Sequence, residues 1–181
     1  MRAMEANEDR IAAFHEAGHA VAAWAQGIGV EYATIEHEEG DRGRIALEQE
    51  PGLLTSVAEM ERLIRVSLAG PMAQQRACGD AEIDQERAGA DMIIVRALFI
   101  VISGGNIDRF PQFITRLRAE TEALIFEPLN WARVLSVAAA LAERRTLTGD
   151  ELRDVINAVR VGVAPSLSPP EPALVSGSEP S

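Results

Sequence analysis

The sequence predicts a mainly helical α+β domain with a small β-hairpin or sheet, and three observations predict it. Apolar residues recur at three- and four-residue spacing through most of the chain. Two short β-like runs flank a glycine-containing turn before residue 50. Aromatic residues make up only 4% against 47% apolar in total, so the core rests on Ala, Leu, Ile and Val, which suits helices in close contact. At 181 residues one domain is expected, over residues 8–162. Residues 163–181, rich in Pro, Ser and Glu and without periodicity, are expected to form a disordered tail.

The first helix is expected from Glu8 to Gln26, where Ile11, Phe14, Gly18, Val21, Ala22 and Ala25 share a face, with Gly27 and Gly29 ending it. Val30 to Ile35 and Arg44 to Leu47 read as strands around the turn Glu39-Gly40-Asp41-Arg42-Gly43. Pro51-Gly52 closes that segment. Ser56 with Glu59 three residues on is a capping box, opening a helix to about Arg76. Gly70-Pro71 inside it predicts a kink or a close helix contact.

A polar stretch, Gly79 to Gly89, leads into an apolar helix from Ala90 to Ile102, closed by Ser103-Gly104-Gly105-Asn106. Helices over Pro111–Phe126 and Asn130–Arg144 follow. A second capping box, Thr148-Gly149-Asp150-Glu151, opens a last helix that ends near Val161.

Charge and composition narrow the function classes. A net charge of −11 repels a phosphate backbone, so nucleic acid is not an expected partner. The one cysteine, Cys78, cannot form an intramolecular disulfide and suits a reducing compartment. No signal-peptide pattern opens the sequence, and Met92–Ile102 is too short to span a bilayer and contains Arg96. A cytoplasmic protein without membrane contact is expected.

The chemistry concentrates in His15-Glu16-Ala17-Gly18-His19, an HExxH run on the first helix. Residues four apart lie on one helical face, one turn above the other, so both imidazoles can reach a single zinc. Glu16 projects beside the pair, where it can take a proton from a metal-activated water and pass it to a leaving amine. A catalytic zinc takes three protein ligands and keeps a position for water. His37, isolated at the end of a β-like run, reads as a strand residue, so the third ligand is expected to be a carboxylate. Asp84 and Asp91, seven residues apart, are the two candidates. Asp91 heads the apolar stripe Met92, Val95, Leu98, Phe99 and Ile102, where a carboxylate is costly to bury without a partner. Asp84 lies in a polar run. Placement alone does not choose between them.

Several segments resemble the proteolytic domain of the FtsH family of ATP-dependent zinc proteases. Arg10-Ile11-Ala12-Ala13-Phe14-His15-Glu16-Ala17-Gly18-His19-Ala20-Val21 is similar to the family's zinc helix. Leu68-Ala69-Gly70-Pro71-Met72-Ala73 is similar to its Gly-Gly-Arg-x-Ala-Glu-Glu element, with Pro71 at the arginine and Gln74-Gln75 at the acidic pair. Ala81-Glu82-Ile83-Asp84-Gln85-Glu86-Arg87-Ala88 resembles the family's Ala-x-x-Asp-Leu-Glu-Arg-Ala, and Thr146-Leu147-Thr148-Gly149-Asp150-Glu151-Leu152 its closing Thr-Leu-x-Gly-x-Glu. The resemblance runs from about residue 8 to 160. It implies a helical zincin-like peptidase domain with a small β element near the active site, its edge holding an extended peptide. It also implies zinc on His15, His19 and Asp84, with Glu16 as base, and so favours Asp84 over Asp91.

No Gly-x-x-x-x-Gly-Lys-Ser/Thr loop is present, so the family's ATPase is not expected in this chain. The activity implied is zinc-dependent hydrolysis of flexible or unfolded polypeptides, delivered where necessary by a separate ATPase or other partner. An oligomer is compatible with the sequence. The competing expectation is a catalytically inactive domain, zinc-holding or metal-free, that acts as an adaptor or regulator.

Overall fold

A computed structural model describes residues 2–38, 41–48, 56–79 and 85–160. Its elements in chain order are α1 (Arg2–Ala25), β1 (Val30–Glu38), β2 (Asp41–Leu47), α2 (Val57–Cys78), α3 (Gln85–Ser103), a 3-10 turn (Ile107–Arg109), α4 (Phe110–Ile125), α5 (Pro128–Arg144), β3 (Thr146–Thr148) and α6 (Gly149–Ala158). The protein is mainly helical with one small antiparallel sheet of order β2-β1-β3.

Helix α1 is the central element. Every residue from Ala12 to Ala23 is buried, because the helix packs on α2 along one side and on α5 and the sheet along others. Half of the residues there are Ala, which lets neighbouring helices approach closely. The tightest approach is at two glycines. A Cβ on Gly18 would lie 2.5 Å from the Ala69 carbonyl oxygen and 2.7 Å from the Ala73 Cβ, and a Cβ on Gly70 would run into the His19 ring. Of the two outcomes expected at Gly70-Pro71, the close contact is realised, and α2 continues through Pro71.

Both capping boxes form. Ser56 and Thr148 each accept from the backbone N–H three residues on, while Glu59 and Glu151 reach back to the caps. Strand β1 sits between its neighbours, paired through Ala33 with Ile45 on one side and Leu147 on the other. Ala33 and Ile35 face the core. Strand β3 was not foreseen: it is three residues long, too short for a periodicity, and is fixed by tertiary pairing to β1.

Other boundaries shift. Helix α1 starts at Arg2 rather than Glu8, β2 begins at Asp41 inside the expected turn, and α3 starts at Gln85 within the expected polar stretch. The last helix ends at Ala158, and the expected tail, 163–181, lies outside the described residues. Among the described residues no single helix is long and apolar enough to cross a membrane.

Cation-mediated contacts bind the outer helices to this frame. Arg65 of α2 holds Glu120 of α4 at 2.8 and 3.0 Å, and Arg116 returns from α4 to Glu61. The Arg76 guanidinium stands 4.3 Å from both the Phe126 and Trp131 ring centres. Arg145, at the end of α5 with φ 66°, pairs with Asp9 at 2.8 Å and so ties α5 to α1.

Candidate metal centre

The HExxH run lies in the middle of the most buried helix, with His15, Glu16 and His19 only 2 to 4% exposed. One helical turn puts the two imidazoles together, edge to face, with ring centres 4.7 Å apart. Helix α2 fixes their orientation. His15 Nδ1 is 2.9 Å from the Gln74 side-chain oxygen, and His19 Nδ1 is 2.7 Å from the Val66 carbonyl oxygen. A carbonyl oxygen only accepts, so both Nδ1 atoms carry the proton and donate. The outer nitrogens, Nε2, are left to face the interior of the site.

What they face is Asp91, on the first turns of α3. Its Oδ2 lies 3.0 Å from His15 Nε2 and its Oδ1 3.4 Å from His19 Nε2. His15, His19 and Asp91 are the group among the described residues whose ligand atoms converge, all within 4.8 Å of one another. The carboxylate is at the head of the stripe read from the sequence: Val95 and Phe99 are buried, and Met92, Leu98 and Ile102 pack on the core. Asp84 lies outside the described residues. His37 pairs in β1 opposite Arg42, and its side chain lies outside the described residues.

Two imidazole lone pairs and a carboxylate pointed at one another require a cation between them. Without a metal, that cation is a proton. Burial pulls the His19 pKa down, but the Asp91 charge and hydrogen bond, the Glu16 charge and the Val66 carbonyl outweigh it and raise it to about 9. Burial would raise Asp91; the His19 charge and the hydrogen bonds from both rings instead hold it far below the usual carboxylate range.

The donor set suits a divalent ion, and the two nitrogen–oxygen separations, each to a different oxygen of Asp91, can be compared with a zinc site. Ligands about 2.0–2.1 Å from a tetrahedral zinc are about 3.3 Å from each other, close to the two distances observed. Asp91 Oδ2, shut off from solvent, faces His15 Nε2 at 3.0 Å, a contact that an ion between the two atoms would replace. Two nitrogens and one carboxylate form a ligand set that zinc accepts with a position left over.

Gln74 and the Val66 carbonyl were not foreseen as parts of the site. Gln74 stood out in the sequence only through the resemblance, as a glutamine where the resembled element is acidic, and no residue type marks a backbone carbonyl. Compared with protein-family models and with curated proteins, the chain gives no match.

Proposed function

We propose that this chain is a zinc-dependent endopeptidase with an FtsH-like, zincin-type helical domain, in which His15, His19 and Asp91 hold the metal and Glu16 is the general base. The observation that carries the reading is the convergence of the two Nε2 atoms and the Asp91 carboxylate within 4.8 Å, beside a buried glutamate on the same turn. Asp91 takes the third place because it is the described acid that reaches both rings.

When bound, zinc supplies a water acidified toward neutral pH and polarises the scissile carbonyl. The chain's own groups do the rest. Gln74 and Val66 hold the imidazoles with Nε2 inward. Glu16 removes the proton from the attacking water and delivers it to the departing amine. The edge strand β2 offers backbone groups to which an extended peptide can add. Substrates are flexible or already unfolded polypeptides, in the cytoplasm, handed over where necessary by a separate ATPase.

Glu16→Gln tests the reading. The variant should keep one zinc per chain by elemental analysis and lose at least about a thousandfold in turnover of an unfolded casein substrate. Unchanged turnover in the variant rules out the mechanism. A wild-type protein that holds zinc and cleaves nothing supports the adaptor alternative instead.

A further inference from the structure

Helix α3 is apolar on both sides. Its inward side carries Val95 and Phe99 into the core, yet its outward side exposes Ile93, Ile94, Ile100 and Val101 to between 43 and 70%. An ordinary surface helix is polar outside; one that is apolar all round is covered on both faces. The outward set continues through Ala90 and Ala97, both exposed, and spans about 17 Å of helix to Val101 at 1.5 Å per residue, with the exposed Gly104 in the turn just beyond the helix end.

The order of residues along this stripe identifies what covers it. Counted from Ala97, Ile94 and Ile100 stand three residues to either side, Ile93 and Val101 four, and Ala90 and Gly104 seven. The stripe thus reads the same in both directions: small, large pair, small, large pair, small. A two-fold interface requires a surface complementary to itself. We propose that a second copy of this chain covers the stripe, the two α3 helices packing antiparallel about a two-fold axis at Ala97.

In that register Ile93 meets the second copy's Val101, Ile94 meets its Ile100, and the small residues at the centre and ends let the backbones approach. Antiparallel packing also sets the positive end of each helix dipole against the negative end of the other. The four branched side chains present on the order of 400 Å² per copy, the size of patch that single chains use for binding. That is about half of the roughly 800 Å² per partner of a standard interface, the remainder coming from the small residues and the rim of the helix. Between residues 89 and 105 this outward half bears no carboxylate and one guanidinium, Arg96, on its rim. With a net charge of −11, the chain has little attraction for an anionic bilayer.

The experiment is sedimentation velocity on the full chain across a wide concentration range. Wild type should pass from monomer to dimer. Ile94→Glu and Ile100→Lys, both at exposed positions, should each weaken the dimer about a hundredfold or more without changing the circular dichroism spectrum. An equimolar mixture of the two variants should recover a heterodimer, because each glutamate then faces a lysine. A wild type that stays monomeric overturns the proposal, including the case in which the monomer binds phosphatidylcholine–phosphatidylglycerol vesicles. So does a dimer unaffected by either substitution, or a mixture that fails to recover.

Discussion

Without a metal a proton joins His19 to Asp91, and its removal should be measurable as lost stability. The perturbation is pH, applied in the presence of a chelator. His19 has a folded pKa of about 9 against an ordinary 6.5. The folded chain therefore holds this proton more tightly than the unfolded chain. The resulting stabilisation is fully present below pH 6.5, declines between 6.5 and 9, and is gone above 9. At 1.36 kcal/mol per pH unit the difference amounts to about 3 kcal/mol, a large share of a typical domain's stability. The lowered pKa of Asp91 is the same ion pair seen from its other member and adds no second contribution. The assay is urea unfolding at pH 6 and pH 9.5 on wild type and Asp91→Asn. The variant loses the partner but keeps the net self-repulsion of an acidic chain almost unchanged, so it reports every other pH effect. Wild type should lose about 3 kcal/mol more than the variant over this interval. Equal losses would refute the ion pair and, with it, the convergence of α3 on α1.

Zinc must displace the His19 proton, so its apparent affinity should rise about tenfold per pH unit from 7 to near 9, read by competition with a zinc-chelating dye. Asp91→Asn should weaken zinc binding by more than about a hundredfold while Asp84→Asn leaves it intact; the reverse result moves the third ligand to Asp84. Gly70→Ala places a methyl group against the His19 ring and should impair zinc uptake more than it lowers the unfolding midpoint. Gln74→Leu should weaken zinc about 10- to 100-fold by leaving the His15 Nδ1 proton without its acceptor, and Gln74→Glu should recover the loss.

The legible parts of this molecule are those in which local chemistry agrees with the final fold. Both capping boxes, the helical spacing of α1 and the stripe from Met92 to Ile102 could be read directly, because hydrogen-bonding groups three residues apart and apolar residues at helical spacing need no partner to declare themselves. The paired imidazoles belong to the same category, since one turn of helix brings them together. Strand β3 was not legible: three residues whose conformation depends on Tyr32, Ala33 and Thr34 leave no local pattern. Placement left Asp84 and Asp91 open and the resemblance favoured Asp84, which lies outside the described residues; that Asp91 meets both imidazoles was not legible. Spacing along α3 cannot say which turn of that helix meets α1, and that is decided by how α3 lies on α2. Gln74 and the Val66 carbonyl were hidden for the same reason, as their roles come from the crossing of α1 and α2 at Gly18 and Gly70.

Two of the three converging side chains belong to the innermost helix and the third to a peripheral one. The imidazoles cannot leave without dismantling the core, because the run from Ala12 to Ala23 is sealed on every side. Asp91 rides on α3, which rests chiefly on α2 and turns half its surface outward. If the proposed zinc binds, α3 is the element whose lifting would free it, with the histidines held fixed in the core. Amide hydrogens of α3 should exchange with solvent water well before those of α1, and whatever clamps α3 down should slow the ion's departure.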